Sequence, residues 1–384
     1  MLIKYNYNFF NMKIKSNKIK TRFAPSPTGK MHIGNIRIAF FNYLLNKKLN
    51  GKFFLRIEDT DKNRNSKKFV NSIIKDLSWI NIKYNKKIIF QSKRNYIYNK
   101  YYELLLNNNL AYFCFCSNEK LKEEKKESIK NKKPYKYSNA CKKLSKEEVE
   151  KNFKNKIIPS IRISVNDKDH IEFFDIIKGK QTFNTSIIGD FIIKRSDGSP
   201  SFIFSNIIDD IEMKITHIIR GEDHLTNTLR QLIILKNFKT NQPIYCHIPL
   251  IMNENNKPLS KREKGISIES LRKKGFFPES IINYIFRLGY NCNNSNIINI
   301  NDMYNIFDTK NISKSAAKYS YSNLLYWQKK IIKEMNEKKL KNKIKNIKFN
   351  LIPKNKINIF LKTIKNNITF IKEIKKWEKC LFSE

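Results

Sequence analysis

The sequence predicts an α/β fold, a parallel sheet with helices on its faces, interrupted by an inserted module and followed by a helical region. Three observations carry this. Residues 20–100 alternate strand, glycine turn and helix, the rhythm of βαβ units. From about 114 to 156 the chain turns polar and lysine-rich. From about 270 it reads as helical and basic to the end.

Taken in order, KTRFAPSP (20–27) opens as a strand and leaves through a turn shaped by Pro27 and Gly29. IRIAFFNYLLN (36–46) is a helix, GKFFLRIEDTD (51–61) a second strand, FVNSIIKDLSWINI (69–82) a helix and IIFQS (88–92) a short strand. Strand-like text returns in IPSIRISV (158–165), FIIKRSDGSPSFIFSNIIDD (191–210) and ITHIIRGEDH (215–224). The tail INIFLKTIKNNITFIKEIKKWEKCLF (357–382) spaces its apolar residues by three and four, the pattern of an amphipathic helix.

Composition narrows the function classes. A chain of 384 residues that is 40% hydrophobic and 12% aromatic can bury a sizeable core and is not a disordered composition. The net charge of +42 suggests a polyanionic partner. The lysines are spread along the whole chain, so part of the excess also fits compositional drift on solvated surfaces. No apolar stretch is long enough to span a bilayer. The opening MLIKYNYNFFNMKIKSNK lacks an apolar centre and a small-residue cleavage site, which argues against secretion. It reads as an extension, with Met12 an alternative start, or as a weak organelle address; a cytoplasmic protein is the leading expectation. Six cysteines in this context are expected to be reduced.

Parallel sheets bind ligands at the carboxyl ends of their strands, where helix N-termini aim backbone N–H groups outward. Pro25 to Gly34 lies at such an end and suits a phosphate chain or an adenosine. Gly34 is expected to let a ligand approach the backbone, with His32 reaching the same space. The spacing is neither a dinucleotide fingerprint nor a P-loop. Taken alone, HIGN also fits a purely structural turn.

Set in order, TRFAPSPTG (21–29), HIGN (32–35), FLRIEDTD (54–61), SDGSP (196–200), IIRGEDH (218–224) and PLSKR (258–262) resemble the class I aminoacyl-tRNA synthetases, specifically the glutamyl-tRNA synthetases of bacteria and organelles. The resemblance runs from about residue 20 to 335. It implies a Rossmann-like catalytic domain (20–101 and 201–243) after an N-terminal extension (1–19). It further implies an inserted acceptor-stem-binding domain (102–200), a stem-contact domain with the PLSKR loop (244–335) and an abbreviated anticodon-binding region (336–384).

The reaction implied joins L-glutamate to ATP, used with Mg2+, releases pyrophosphate, and passes the acyl group to tRNA(Glu). Such chemistry needs placed cations and donors more than a protein nucleophile. By resemblance His32 and Lys261 are catalytic. Arg22, Ala24, Ser26, Glu58, Phe202, Asn206, Arg220 and His224 line the glutamate site. Gly34, Asn35, Asp223, Ile251, Ser260 and Arg262 join His32 and Lys261 around ATP. Arg22 and Arg220 would match the substrate carboxylate, since a guanidinium holds one bidentately, and Glu58 would accept from its ammonium group. Asp59 and Asp61 are expected to cap the following turn or helix.

Three departures from the family pattern stand out. Phe202 occupies a usual tyrosine position, Pro258 replaces the first lysine of the second signature beside Lys257, and only about fifty residues follow Trp327. Cys114, Cys116, Tyr137 and Cys141 resemble a zinc module of the acceptor-stem insert, whose usual histidine would fall at Lys143; a bound Zn2+ and three reduced cysteines both fit. Two rival functions stay open: a paralogue that glutamylates a modified tRNA base, and a non-catalytic RNA-binding protein. NISKSAAKYSYSNLLYWQ (311–328), which resembles the stem-contact region, favours the synthetase. The family suggests a monomer, with tRNA(Gln) as a second candidate partner and no membrane.

Overall fold

The computed structural model describes residues 19–61, 64–238, 240–259 and 265–383. In chain order come β1 (Lys20–Phe23), α1 (Ile33–Lys48), β2 (Lys52–Ile57), α2 (Lys67–Trp79) and β3 (Ile89–Phe90). The three strands are parallel neighbours, with Arg22 opposite Phe54 and Ile57 opposite Phe90. Helix α1 starts at a capping box. The His32 side chain accepts from the Gly34 N–H, and Asn35 accepts from the His32 N–H; both satisfy donors that a helix start would otherwise leave unpaired. α2 is capped by Ser66. Asp59, expected to cap there, instead accepts from the Ser92 N–H (2.8 Å) and hydroxyl (2.7 Å), tying the exit of β2 to the turn after β3.

Next come α3 (Asn95–Asn107), β4 (Ala111–Cys114), α4 (Asn118–Lys130), α5 (Lys146–Lys154), β5 (Ser160–Ile163), β6 (His170–Asp175), β7 (Gly179–Asn184) and β8 (Phe191–Lys194). Strands β4, β5 and β8 form a small antiparallel sheet. Then follow α6 (Phe202–Glu212), β9 (His217–Gly221), α7 (Leu225–Lys236) and β10 (Ile244–Ile248). β10 pairs in parallel with β9 on one side and β6 on the other, and β7 closes the edge antiparallel to β6. β9 runs beside β1, where the Thr216 N–H donates to the Lys20 carbonyl at 3.0 Å. The strands thus succeed one another as β3-β2-β1 and then β9-β10-β6-β7.

β10, in the stretch that the sequence reading gives to the stem-contact domain, and β6 and β7, in the stretch it gives to the insert, share one sheet with β9. The β6–β7 hairpin and the β9–α7–β10 unit are local, whereas the β6–β10 pairing spans 70 residues and no local pattern announces it. A correction concerns residues 202–210. The apolar run FIFSNIIDD is a helix capped by Ser201 rather than strand text. A short apolar run buried on most sides carries no period that separates helix from strand.

The remaining elements are β11 (Ile251–Met252), α8 (Ile268–Lys274), α9 (Pro278–Arg287), α10 (Ile300–Ile306), β12 (Ala317–Lys318), α11 (Tyr321–Glu334), α12 (Glu337–Ile344), α13 (Ile357–Ile364) and α14 (Ile374–Phe382). The tail is therefore two helices rather than one. Between them Ile368 is fully buried and Phe370 stands edge-on to Phe276 at 5.0 Å. The Thr369 N–H is taken by Glu373, so packing and a side-chain bond override the helical period. Among the described residues no helix is long and apolar enough to cross a membrane.

The core explains how the site is held. Ile33, Ile36, Phe40 and Leu44 of α1 are fully buried, in a cluster that also includes Phe23 and Leu55 of the sheet and Ile281 and Ile285 of α9. Each such side chain contributes about 1.5–3 kcal/mol. A second cluster joins α3, α6 and α7 to β5, β6 and β10, and a third holds α11 to α14. α1 is thereby pinned with its N-terminus at the carboxyl ends of β1 and β9.

Candidate active site

From β1 the chain passes through α1 to β2 on one side, and from β9 through α7 to β10 on the other. The crevice between β1 and β9 is the point where strand order reverses, the usual ligand site of such sheets. A cavity of about 350 Å³ opens there. It is lined by Arg22, Ala24, Ser26, His32, Gly34 and Asn35 from the first strand and turn. Glu58 reaches it from β2, Phe202 and Asn206 from α6, and Arg220, Asp223 and His224 from β9 and its exit. Ile251, Pro258 and Leu259 close one wall. Ser260, Lys261 and Arg262 lie outside the described residues. Every other residue that the sequence assigned to the amino-acid or nucleotide site lines this one cavity.

Its electrostatics are asymmetric. Arg22 is buried, and its Nε and Nη2 donate to Asp210 at 3.0 and 3.3 Å. Arg56 donates to the same Asp210 at 2.6 Å and to Glu58 at 3.1 Å. The Arg22 charge is therefore already matched by protein, which the sequence did not reveal. Arg220 differs. Its Nε donates to His247 (3.1 Å), and its Nη2 to Thr228 (2.6 Å) and Gln231 (2.7 Å). All three acceptors are neutral. Among the described residues no carboxylate pairs with it, and burial pulls its pKa down to about 10.

Glu58 is the counterpart. Arg56 and Asn206 (2.5 Å) both bond its Oε1. Burial pushes its carboxyl above the ordinary range, and Arg56 and Arg22 pull only part of the way back. The cavity thus holds two buried guanidiniums with no carboxylate partner among the described residues, Arg220 and Arg37, and one carboxylate whose charge burial disfavours.

His32 serves two purposes. Its Nδ1 accepts from the Gly34 N–H at 3.1 Å, which leaves the ring proton on Nε2 as a donor. Gly34 is needed for this cap: a Cβ there would stand 2.9 Å from His32 Cε1. The His32 ring makes a close approach to Gly34. His224 lies against Phe202 with ring centroids 5.5 Å apart, and burial, then the Arg220 charge, bring its pKa down to about 4. Lys257 is exposed in the turn where Pro258 bridges to Met252.

Arg37 was missed in the sequence. Buried on α1, it donates to the Leu288 carbonyl (3.1 Å) and to the Pro249 carbonyl, and lines the cavity. An arginine inside IRIAFFNYLL was the available signal.

The profile of tRNA synthetases class I (E and Q), catalytic domain, matches residues 18–326. The chain belongs to this class I synthetase family. Glutamate--tRNA ligase 1 of Coxiella burnetii (strain CbuG_Q212) is 38% identical to this synthetase over 374 residues, 95% of this chain and 80% of the relative. Glutamate--tRNA ligase of Hydrogenobaculum sp. (strain Y04AAS1) is 41% identical over 311 residues, 80% of this chain and 67% of the relative. A crystal structure of a glutamate tRNA ligase from Elizabethkingia meningosepticum, in complex with its amino acid, superposes with a TM-score of 0.87 at 29% identity, covering 94% of the synthetase and 80% of that chain.

A second cluster lies in the insert. Cys114, Cys116 and Cys141 place their sulfurs within 4.8 Å of one another. The Tyr137 hydroxyl is 3.5 Å from Cys114 Sγ and 3.2 Å from Cys116 Sγ, and Cys116 and Cys141 sulfurs are 3.5 Å apart. Burial pushes the Cys114 thiol up, but its hydrogen bonds with Tyr137 and Arg162 outweigh it and bring it down to about 7. The Arg162 guanidinium also stacks on the Tyr137 ring, 3.7 Å from its centroid. The three sulfurs and the Tyr137 hydroxyl converge in the number a tetrahedral zinc ion takes. Burial pushes the Cys116 thiol up to about 11 and the Tyr137 hydroxyl above its ordinary range, so both must give up a proton to ligate one.

Proposed function

We propose that this chain is a glutamate--tRNA ligase that forms glutamyl-adenylate from L-glutamate and ATP and transfers the glutamyl group to the acceptor end of tRNA(Glu). One observation carries the reading: Arg220, with no carboxylate partner among the described residues, and Glu58, whose Oε1 takes Arg56 and Asn206, face one cavity at the strand-order switch and are complementary to an amino acid bearing a side-chain carboxylate and an ammonium group. The names of the relatives support it.

In this reading Arg220 holds the side-chain carboxylate and Glu58 accepts from the ammonium. Asn206 orients Glu58, and Arg22 contributes through its field with its charge shared by Asp210. Ala24, Ser26, Phe202 and His224 shape the rest of the amino-acid site. The glutamate α-carboxylate oxygen bonds to the α-phosphorus of ATP, supplied as its magnesium complex, as the bond to pyrophosphate breaks. His32 donates from Nε2 to the phosphates near Gly34, Asn35, Asp223 and Ile251, and Lys261 with Ser260 and Arg262 neutralises the leaving group. A tRNA hydroxyl then attacks the carbonyl, loses its proton, and expels AMP. Positioned charge does this work without a protein nucleophile.

The reading extends to the domain roles, with residues 102–200 binding the acceptor stem, 244–335 contacting the stem and 336–384 holding the anticodon arm. It extends also to a cytoplasmic monomer and to tRNA(Gln) as a second acceptor. Cys114, Cys116, Tyr137 and Cys141 would hold zinc, which when bound cross-links the loops after β4 to those before α5. The deciding experiment incubates the chain with ATP, labelled glutamate and tRNA(Glu), then maps the label. An ester at the 3′ terminus is expected, labile to mild base. Label on an internal base identifies the base-modifying paralogue instead, and no label identifies a non-catalytic RNA binder.

A further inference from the structure

Two buried groups stand behind Arg220 and outside the cavity lining: His247 on β10 and Asp175 at the end of β6, both fully buried. Asp175 Oδ1 accepts from the backbone N–H groups of Ile177 and Lys178, each at 2.9 Å. Its Oδ2 accepts from the His247 N–H at 2.9 Å and lies 2.7 Å from His247 Nδ1. Burial pushes the Asp175 carboxyl up, but these bonds outweigh it and hold it below its ordinary range. An ionised acceptor keeps the proton on Nδ1. Burial, joined by the Arg220 charge, lowers the His247 pKa and disfavours a second proton. Nε2 therefore offers a lone pair, and the Arg220 Nε lies 3.1 Å from it.

The consequence is geometric. With Nε bonded to His247 and Nη2 to Thr228 and Gln231, the guanidinium plane is fixed before any substrate arrives. The Nε hydrogen and both Nη2 hydrogens are thereby taken by protein, which leaves Nη1 to present its two N–H donors in one fixed direction. A carboxylate oxygen accepts from them, whereas a carboxamide nitrogen turned toward Nη1 would set N–H against N–H.

We propose that Asp175 and His247 are positioning residues that lock the plane of Arg220 and so set the preference of the cavity for a carboxylate over an isosteric carboxamide side chain. The proposal rests on Arg220 being the anchor of the substrate side chain. The competing explanation is that the pair merely staples β6 to β10, which share a single register pair, Tyr245 with Asp175. A staple would affect stability, and with it every kinetic parameter together.

The test uses the full chain charging tRNA(Glu), with Asp175→Asn, His247→Ala and His247→Gln. Asp175→Asn keeps the shape but can donate to Nδ1, releasing the tautomer whose Nε2–H faces the Arg220 N–H. The glutamate KM should rise about tenfold to a hundredfold with the ATP KM unchanged, and the ratio of kcat/KM for glutamine to that for glutamate should rise. His247→Gln, whose amide oxygen can still accept from Arg220, should recover part of the loss in His247→Ala. An unchanged glutamate KM in Asp175→Asn, parallel shifts in the glutamate and ATP KM values, or no recovery by His247→Gln would each overturn the proposal. Failure of all three variants to fold would assign the pair to structure and overturn it too. A wild-type chain that charges normally while the variants do the same sinks the positioning role alone. A wild-type chain that attaches no glutamate to tRNA(Glu) sinks the ligase reading, and the proposal with it.

Discussion

Arg220→Met separates substrate binding from stability. The guanidinium is buried and its three acceptors are neutral, so the variant breaks no ion pair of the free protein. Once glutamate is bound, the side-chain carboxylate would lose the cation that the proposed reading gives it, and Arg22 is already committed to Asp210. Truncating one partner of a buried, hydrogen-bonded charge pair costs about 2–5 kcal/mol. At 1.4 kcal/mol per factor of ten, kcat/KM for glutamate should fall by about thirtyfold to a few thousandfold. Arg22→Met does the reverse: it removes one of two cations from the buried Asp210, a loss of about 3 kcal/mol of stability. The assay is initial-rate tRNA charging over a range of glutamate concentrations at saturating ATP, paired with thermal melts. Arg220→Met should be the poorer enzyme and Arg22→Met the less stable protein. A kcat/KM for glutamate within about threefold of wild type in Arg220→Met would refute the argument, as would a lower Tm for it than for Arg22→Met.

Two further outcomes are expected. Burial pushes the Asp76 carboxyl up to about 6, with Arg272, 3.3 Å away, pulling only part of the way back. Between about pH 4 and 6 the folded chain then holds a proton that the unfolded chain has lost, so this group makes stability fall as pH rises through that window. Asp76→Asn should gain about 1–2 kcal/mol at pH 7.5 once solvent screening is allowed for, and the gain should vanish at pH 4; thermal melts at the two pH values check it, and an equal gain at both defeats it. For the cysteine cluster, metal analysis of the purified chain should find one zinc per chain, lost in Cys141→Ser, while a metal-free chain with three titratable thiols would show the cluster to be simply reduced.

Much of the site was legible in the sequence because its residues sit in short motifs at strand ends. TRFAPSPTG and HIGN occupy the exit of β1 and the start of α1, RIEDTD the exit of β2, and IIRGEDH the exit of β9. The alternation of strand and helix predicts the parallel sheet, and a parallel sheet presents its strand ends on one side, so order along the chain implies convergence in space. Local chemistry likewise settles the cap at His32 and Asn35, three residues apart.

Tertiary structure decided what depends on partners distant in sequence. That β6 and β10 share one sheet follows from a pairing across 70 residues, Tyr245 with Asp175. Whether 202–210 is strand or helix, and whether the tail is one helix or two, turned on burial that an apolar pattern does not encode. Above all, Arg22 and Arg220 look alike as letters. One is neutralised by Asp210, 188 residues away, and the other is held by His247, Thr228 and Gln231 with no carboxylate partner among the described residues. A charge acquires its role from what surrounds it once water is excluded, and only the folded chain supplies those surroundings.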